Sequence, residues 1–153
     1  MEKNIESLQK IADKLLALMS TKAKAEVVYD KANDAYVVNV EAGDETGLLI
    51  GKKGETLSSI QTMLGILLKQ KTDEWNRVVV NIGDYREKEE DYLKGLATTT
   101  AERAKETKEP QPLYNLTPGQ RRIVHMTLSE DEDIVTESMG EGEERYLVVK
   151  SKN

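Results

Sequence analysis

The stretch from Gly47 to Leu68, GLLIGKKGETLSSIQTMLGILL, constrains the fold more than any other part of the chain. A short apolar turn, Leu48-Leu49-Ile50, runs directly into Gly51-Lys52-Lys53-Gly54. Beyond it, apolar residues fall at Leu57, Ile60, Met63, Leu64, Leu67 and Leu68. That spacing follows the 3.6-residue period and predicts a helix with one buried stripe and one wet face. Two glycines around two lysines make a tight turn with no side chain at either end. Its backbone can approach a ligand closely, and the start of the next helix offers N–H groups that the helix itself cannot pair. Gly51, Lys52, Lys53 and Gly54 are therefore the first candidate binding residues, suited to a sugar-phosphate backbone. A nucleotide-binding P-loop is excluded, because it needs four residues between its glycines and Gly47 and Gly51 are separated by three.

The flanking residues sharpen this reading. Ile50 before the turn and Leu57 after it give the string I-G-K-K-G-x-x-L, which resembles the KH nucleic-acid-binding domain. In that domain the GXXG loop clamps the backbone of about four nucleotides. Upstream, Ile5, Leu8, Ile11, Leu15, Leu16 and Met19 predict a first helix. Ala25–Asp30 and Ala35–Glu41, rich in Val and Tyr, predict an antiparallel hairpin across the turn Lys31-Ala32-Asn33-Asp34. A short helix near Thr46–Ile50, the GKKG turn, the helix to about Lys69 and a β-branched strand, Arg77–Ile82, complete the unit. The order α-β-β-α-α-β is that of a type II KH domain, expected over residues 1–83. The chain has no Phe and one Trp, so it lacks the aromatic stacking platform of an RRM.

Asp84 and Glu87 have the spacing to cap a long helix running through Tyr85, Tyr92, Leu93, Leu96, Ala97, Ala101 and Ala104 to about Lys108. Its charged outer face reads as solvated, and residues 84–109 are expected to connect two domains. Pro110 and Pro112 end it. Thr117-Pro118-Gly119-Gln120 then starts a helix to about Leu128, with Thr as N-cap, Pro first and Gln third. Ile134–Ser138 and Tyr146–Lys150 read as strands around MGEGEE, and with Leu113–Leu116 they predict a three-stranded sheet. The expected fold class is thus α+β: the KH domain, the long helix, and a small α/β domain over residues 110–153.

His125 is the one histidine, and Arg121-Arg122-Ile123-Val124-His125 places an arginine four residues before it on the same helical face. Arginine offers a fixed fork for phosphate; histidine adds a hydrogen-bonding, stackable ring. Arg121, Arg122 and His125 are the second set of candidate nucleic-acid-binding residues. The alternative is that His125 packs within the domain while Arg121 pairs with a nearby acid. The spacing, on a capped helix before an acidic hairpin, resembles the R-3-H domain, associated with single-stranded nucleic acid.

The two motifs in this order, ending in EGEERYLVVK, look like the bacterial Jag (SpoIIIJ-associated) family. The resemblance implies a cytosolic RNA-binding regulator, linked in various bacteria to cell elongation and division. It further implies single-stranded RNA as ligand, single-stranded DNA as a secondary one, and a small single-KH protein or a second copy as partner. Many members carry an extra N-terminal domain on a linker, whereas this sequence opens on the first KH helix.

Charge and composition narrow the remaining classes. The chain carries a net charge of −6, but residues 1–83 hold 11 Lys/Arg against 12 Asp/Glu, and the acidic excess lies beyond them. Binding depends on the phosphates contacted rather than on the sum, so indiscriminate coating of nucleic acid is not expected. An acidic C-terminal half also admits a protein–protein adaptor. With no Cys, thiolate metal sites, disulfides and cysteine nucleophiles are excluded, which fits a reducing cytoplasm. The charged, amphipathic N-terminus is neither a signal peptide nor a membrane span. No Ser/His/Asp or paired-His arrangement points to catalysis, and the acids at 130–133 and 141–144 read as solvated rather than metal-holding. No enzyme activity, cofactor or metal is expected.

Overall fold

The apolar period at the N-terminus folds as helix α1 (Glu2–Leu18), which turns Leu8, Ala12 and Leu16 into a core and leaves its charged face outside. Here and below the protein is described from a computed structural model covering residues 1–153. Strands β1 (Lys24–Asp30) and β2 (Ala35–Glu41) form the hairpin, in the register Lys24 opposite Glu41 to Asp30 opposite Ala35. Asp30 folds over the turn, accepting hydrogen bonds from the Ala32 and Asn33 backbone, and Asp34 takes the positive φ of 48° that such a turn needs.

Strand β3 (Val78–Ile82) lies parallel to β2, with Val38 opposite Val80, in the order β1-β2-β3. Parallel neighbours cannot be joined by a hairpin and need a crossover. Here the crossover is α2 (Thr46–Ile50), a single 3-10 turn at Lys52–Gly54, and α3 (Glu55–Thr72). The GKKG turn is therefore held at both ends by helices that pack on the sheet. Leu57, Ile60, Leu64 and Leu68 of α3 meet Leu8, Val38, Leu49 and Val80 in one apolar cluster. The order αββααβ is the KH-like arrangement expected from the sequence. Met63, counted with the α3 stripe, is instead 48% exposed, at the edge of that stripe in a groove shared with Ile11, Leu15 and Leu18 of α1.

Helix α4 (Tyr85–Thr107) begins at the end of the first compact unit, Met1–Arg86, and continues in the second, Glu87–Asn153. Leu93, Ala97, Ala101 and Ala104 recur at helical spacing and are all buried, against Val124, Leu128, Ile134, Leu147 and Val149. Three alanines along one stripe let neighbouring elements approach the helix closely. Tyr92, read with the apolar series, is exposed on the other side.

Helix α5 (Pro118–Leu128) opens with the expected capping box: Gln120 N–H donates to Thr117 Oγ1, and Thr117 N–H donates to Gln120 Oε1. Strands β5 (Ile134–Met139) and β6 (Tyr146–Ser151) pair antiparallel, and the third strand is β4 (Gln111–Leu113), giving the order β4-β6-β5. The third strand thus lies earlier than the expected Leu113–Leu116. Pro112 is accommodated because β4 pairs on one side only, with Pro112 opposite Val148. Leu113 and Leu116 still pack onto the core.

One ion pair ties α4 to the turn before β5. Lys105 Nζ donates to both carboxylate oxygens of Asp131, at 3.0 and 2.8 Å. That hydrogen bond is the first cause holding the Asp131 carboxyl below its ordinary range, and likewise the first cause raising Lys105 above its own. The signs follow by linkage. Asp131 stabilises the fold above the ordinary carboxylate range, and this is lost as pH falls through its lowered folded value. Lys105 stabilises below its ordinary range, and this is lost as pH rises through its raised one. Both groups are solvent-accessible, so Lys105→Met should lower the melting temperature only slightly at pH 7 and not at all in acid strong enough to protonate Asp131. Melts at the two pH values check this; an equal drop at both would mean that Lys105 acts through packing.

Candidate functional site

The first candidate site, in unit Met1–Arg86, rests on two glycine conformations. Gly51 has φ 71° and ψ −177°, a region open in practice only to glycine. A Cβ there would lie 2.2 Å from Thr56 Oγ1 and 2.8 Å from its Cβ, so an alanine would force the turn off the helix. Gly54, at φ 76°, is the N-cap of α3, and a Cβ there would stand 3.2 Å from Tyr85 Oη. Lys53 between them also has positive φ, at 53°. The chain thus makes a sharp left-handed turn whose two lysine side chains lie exposed. No side chain caps α3, so the backbone donors of its first turn face the same region as the lysines. Fixed N–H groups, a helix N-terminus and two ammonium groups make this a place for oxyanions.

The second candidate site lies wholly in unit Glu87–Asn153, as an open cleft of about 620 Å³ between α5 and the β5–β6 sheet. It brings together all three sequence candidates there: Arg121, Arg122 and His125 line it. Their roles differ. Arg121 is half-buried, and its Nη1 donates to the carbonyls of Leu116 at 2.8 Å and Arg145 at 3.4 Å. It therefore partners main-chain carbonyls rather than an acid, and fastens the ends of two loops. His125 is exposed, with Nδ1 at 2.5 Å from Thr136 Oγ1, so that hydroxyl orients the ring. Arg122 lines the rim.

Three further polar residues of this cleft, Arg145, Thr136 and Ser138, are not reached by the motif spacing. Thr136 and Ser138 share a face of β5 because they are two residues apart. The antiparallel register places Ser138 opposite Leu147, next to Tyr146 and Arg145, which ends the hairpin loop. A signal for Arg145 does exist: it is the one Lys or Arg between Arg122 and Lys150, in an otherwise acidic stretch. Three guanidinium groups, an imidazole and two hydroxyls in one cleft can hold a phosphate by charge-assisted hydrogen bonds, with an aliphatic floor at Leu147 and Pro118.

These features can be set beside known proteins. Residues 5–82 match the family model described as the KhpA/KhpB KH domain. The chain belongs to the KhpA/KhpB family. Residues 91–151 match the R-3-H domain. Similar proteins carry the name RNA-binding protein KhpB. One from Clostridium symbiosum is 32% identical over 99% of this chain and 66% of its own length. Another, from Bacillus subtilis strain 168, is 37% identical over 72% of this chain and 54% of its own length. A third, from Lactiplantibacillus plantarum, is 28% identical over 95% of this chain and 45% of its own length. The chain therefore spans between a third and two thirds of the length of the curated relatives it matches. The Jag-type resemblance read from the sequence is this same family, a KH domain followed by an R-3-H domain. No helix is long and apolar enough to cross a membrane.

Proposed function

We propose that this chain is a non-catalytic, cytoplasmic binder of single-stranded RNA that uses both candidate sites. The observation that carries this reading is the pairing, on one chain, of two donor-rich surfaces in two different nucleic-acid folds. One is the uncapped helix start behind Gly51-Lys52-Lys53-Gly54. The other is the cleft of Arg121, Arg122, His125 and Arg145. The names of the relatives support RNA as the polymer. Few phosphate contacts per site and an acidic remainder favour a weak, selective binder over one that coats RNA. A role as a post-transcriptional regulator tied to cell elongation and division, and pairing with a small single-KH protein or a second copy, belong to this proposal.

We place the domain boundary near Arg86 rather than treating residues 84–109 as a separate connecting helix. The burial of Leu93, Ala97, Ala101 and Ala104 supports this, as does the start of the R-3-H match at residue 91.

The competing reading is a protein adaptor that docks a partner through its acidic half. Fluorescence anisotropy with a labelled single-stranded RNA at two salt concentrations separates the two. Binding should weaken steeply with salt, as counterion release requires. Salt-independent association, or binding only to a protein, would favour the adaptor.

A further inference from the structure

Strand β3 lies at the edge of its sheet, and the main-chain N–H and C=O of Val80 are taken there by two side chains. Val80 N–H donates to Gln61 Oε1 at 3.0 Å. Arg86 Nε and Nη2 donate to the Val80 carbonyl at 3.1 and 3.0 Å, and Nη2 also donates to Gln61 Oε1 at 3.1 Å. The closed ring fixes which way the Gln61 amide points: oxygen to the strand, NH2 away from it. Arg86 is exposed, and neither its Nη1 nor Gln61 Nε2 makes a hydrogen bond within the protein. Two oriented donors are thus left at the edge of β3.

Edge protection alone does not account for this arrangement. The opposite edge of the sheet shows what protection looks like. Gln9 takes the Val27 N–H with its oxygen and gives its NH2 to the Ala25 carbonyl and to Asp13, leaving nothing over. At β3 the same residue type needs help from an arginine, and both keep donors in reserve. The place is also adjacent to the GKKG turn. Tyr85, the neighbour of Arg86, stands against Gly54, the last residue of that turn.

We propose that Gln61 and Arg86 are the base-reading pair of the first unit, selecting bases that present two adjacent acceptors: guanine through O6 and N7, or cytosine through O2 and N3. This rests on the single-strand reading above. Two donors carried by one hydrogen-bonded ring suit two adjacent acceptors, as in the common arginine contact to guanine. Adenine and uracil alternate donor and acceptor along their pairing edges, so one of the two donors would face another donor. Because the strand already holds both side chains, little side-chain freedom is lost on binding.

The test uses the full chain and four fluorescein-labelled RNA pentamers, UUXUU, with X as G, C, A or U. The G and C strands should bind about tenfold tighter than the A and U strands, within the range one bidentate base contact discriminates. Arg86→Ala should bring all four to within about twofold of one another. Gln61→Glu should do the same while keeping an acceptor for Val80 N–H and Arg86, so it decides the matter if Arg86→Ala does not fold. Equal, lysine-dependent binding of all four by the unaltered chain would overturn the base-reading role and leave the single-strand reading standing. A preference that survives both substitutions, with only the melting temperature lowered, would make the pair edge protection and also overturn it. Failure of the unaltered chain to bind any single strand, long or short, would overturn both readings.

Discussion

Lys52→Asp with Lys53→Asp should reduce single-stranded RNA affinity by about tenfold or more while the protein melts nearly as before. Both side chains are exposed, and such changes usually move stability by less than about 0.5 kcal/mol. The choice of residue matters at position 53, where φ is 53°: aspartate tolerates the left-handed region, and a β-branched replacement would not. The new carboxylates would face both the phosphates and the start of α3, so the substitution removes two contacts and adds repulsion at the same point. If each lysine meets one phosphate, the log–log dependence of affinity on salt should also become shallower by about 1.4. Titrations at several salt concentrations measure both effects. Unchanged affinity and slope would mean that the turn is not where RNA binds.

The second large effect is expected from strand length. A KH groove holds about four nucleotides, so a strand of about five fills the first unit and leaves the second empty. A strand of about 12 or more can engage both, and the second contact then becomes intramolecular. Linked sites can exceed either affinity alone by about 10²–10⁴, so a gain of at least about tenfold for the longer strand is a modest expectation. Arg122→Ala with Arg145→Ala in the full chain should largely remove that gain. These two arginines are the right choice because both line the cleft, whereas the Arg121 side chain also holds the Leu116 and Arg145 carbonyls and its loss would disturb the fold. If the double variant binds long and short strands as the unaltered chain does, the cleft is not a second RNA contact and a protein-docking role gains weight.

Most of the fold was legible because its signals are local. The Thr117-Pro118-Gly119-Gln120 string specifies a cap whose hydrogen bonds close within four residues, and the helix starts where it says. The hairpin around Lys31–Asp34 and the turn at Gly51–Gly54 are likewise written in adjacent residues. The strand before α5 was misplaced because Pro112 reads as a breaker, and only pairing with Val148, far along the chain, makes it an edge strand. The same limit applies to the sites. Arg121 and His125 show themselves by spacing, but Thr136, Ser138 and Arg145 join them only through the β5–β6 register. Gln61 and Arg86 meet at Val80 across three elements, and no sequence spacing records that.

The most direct test of a two-site single-strand binder is an NMR titration of the isotope-labelled full chain with a 12-nucleotide single-stranded RNA. The backbone amides of Gly51–Glu55 and the amides and side-chain signals of Arg121, Arg122, His125 and Arg145 should shift together, saturating at one common RNA concentration. Shifts confined to one of the two sets, or to neither while the strand is bound elsewhere, would contradict the account.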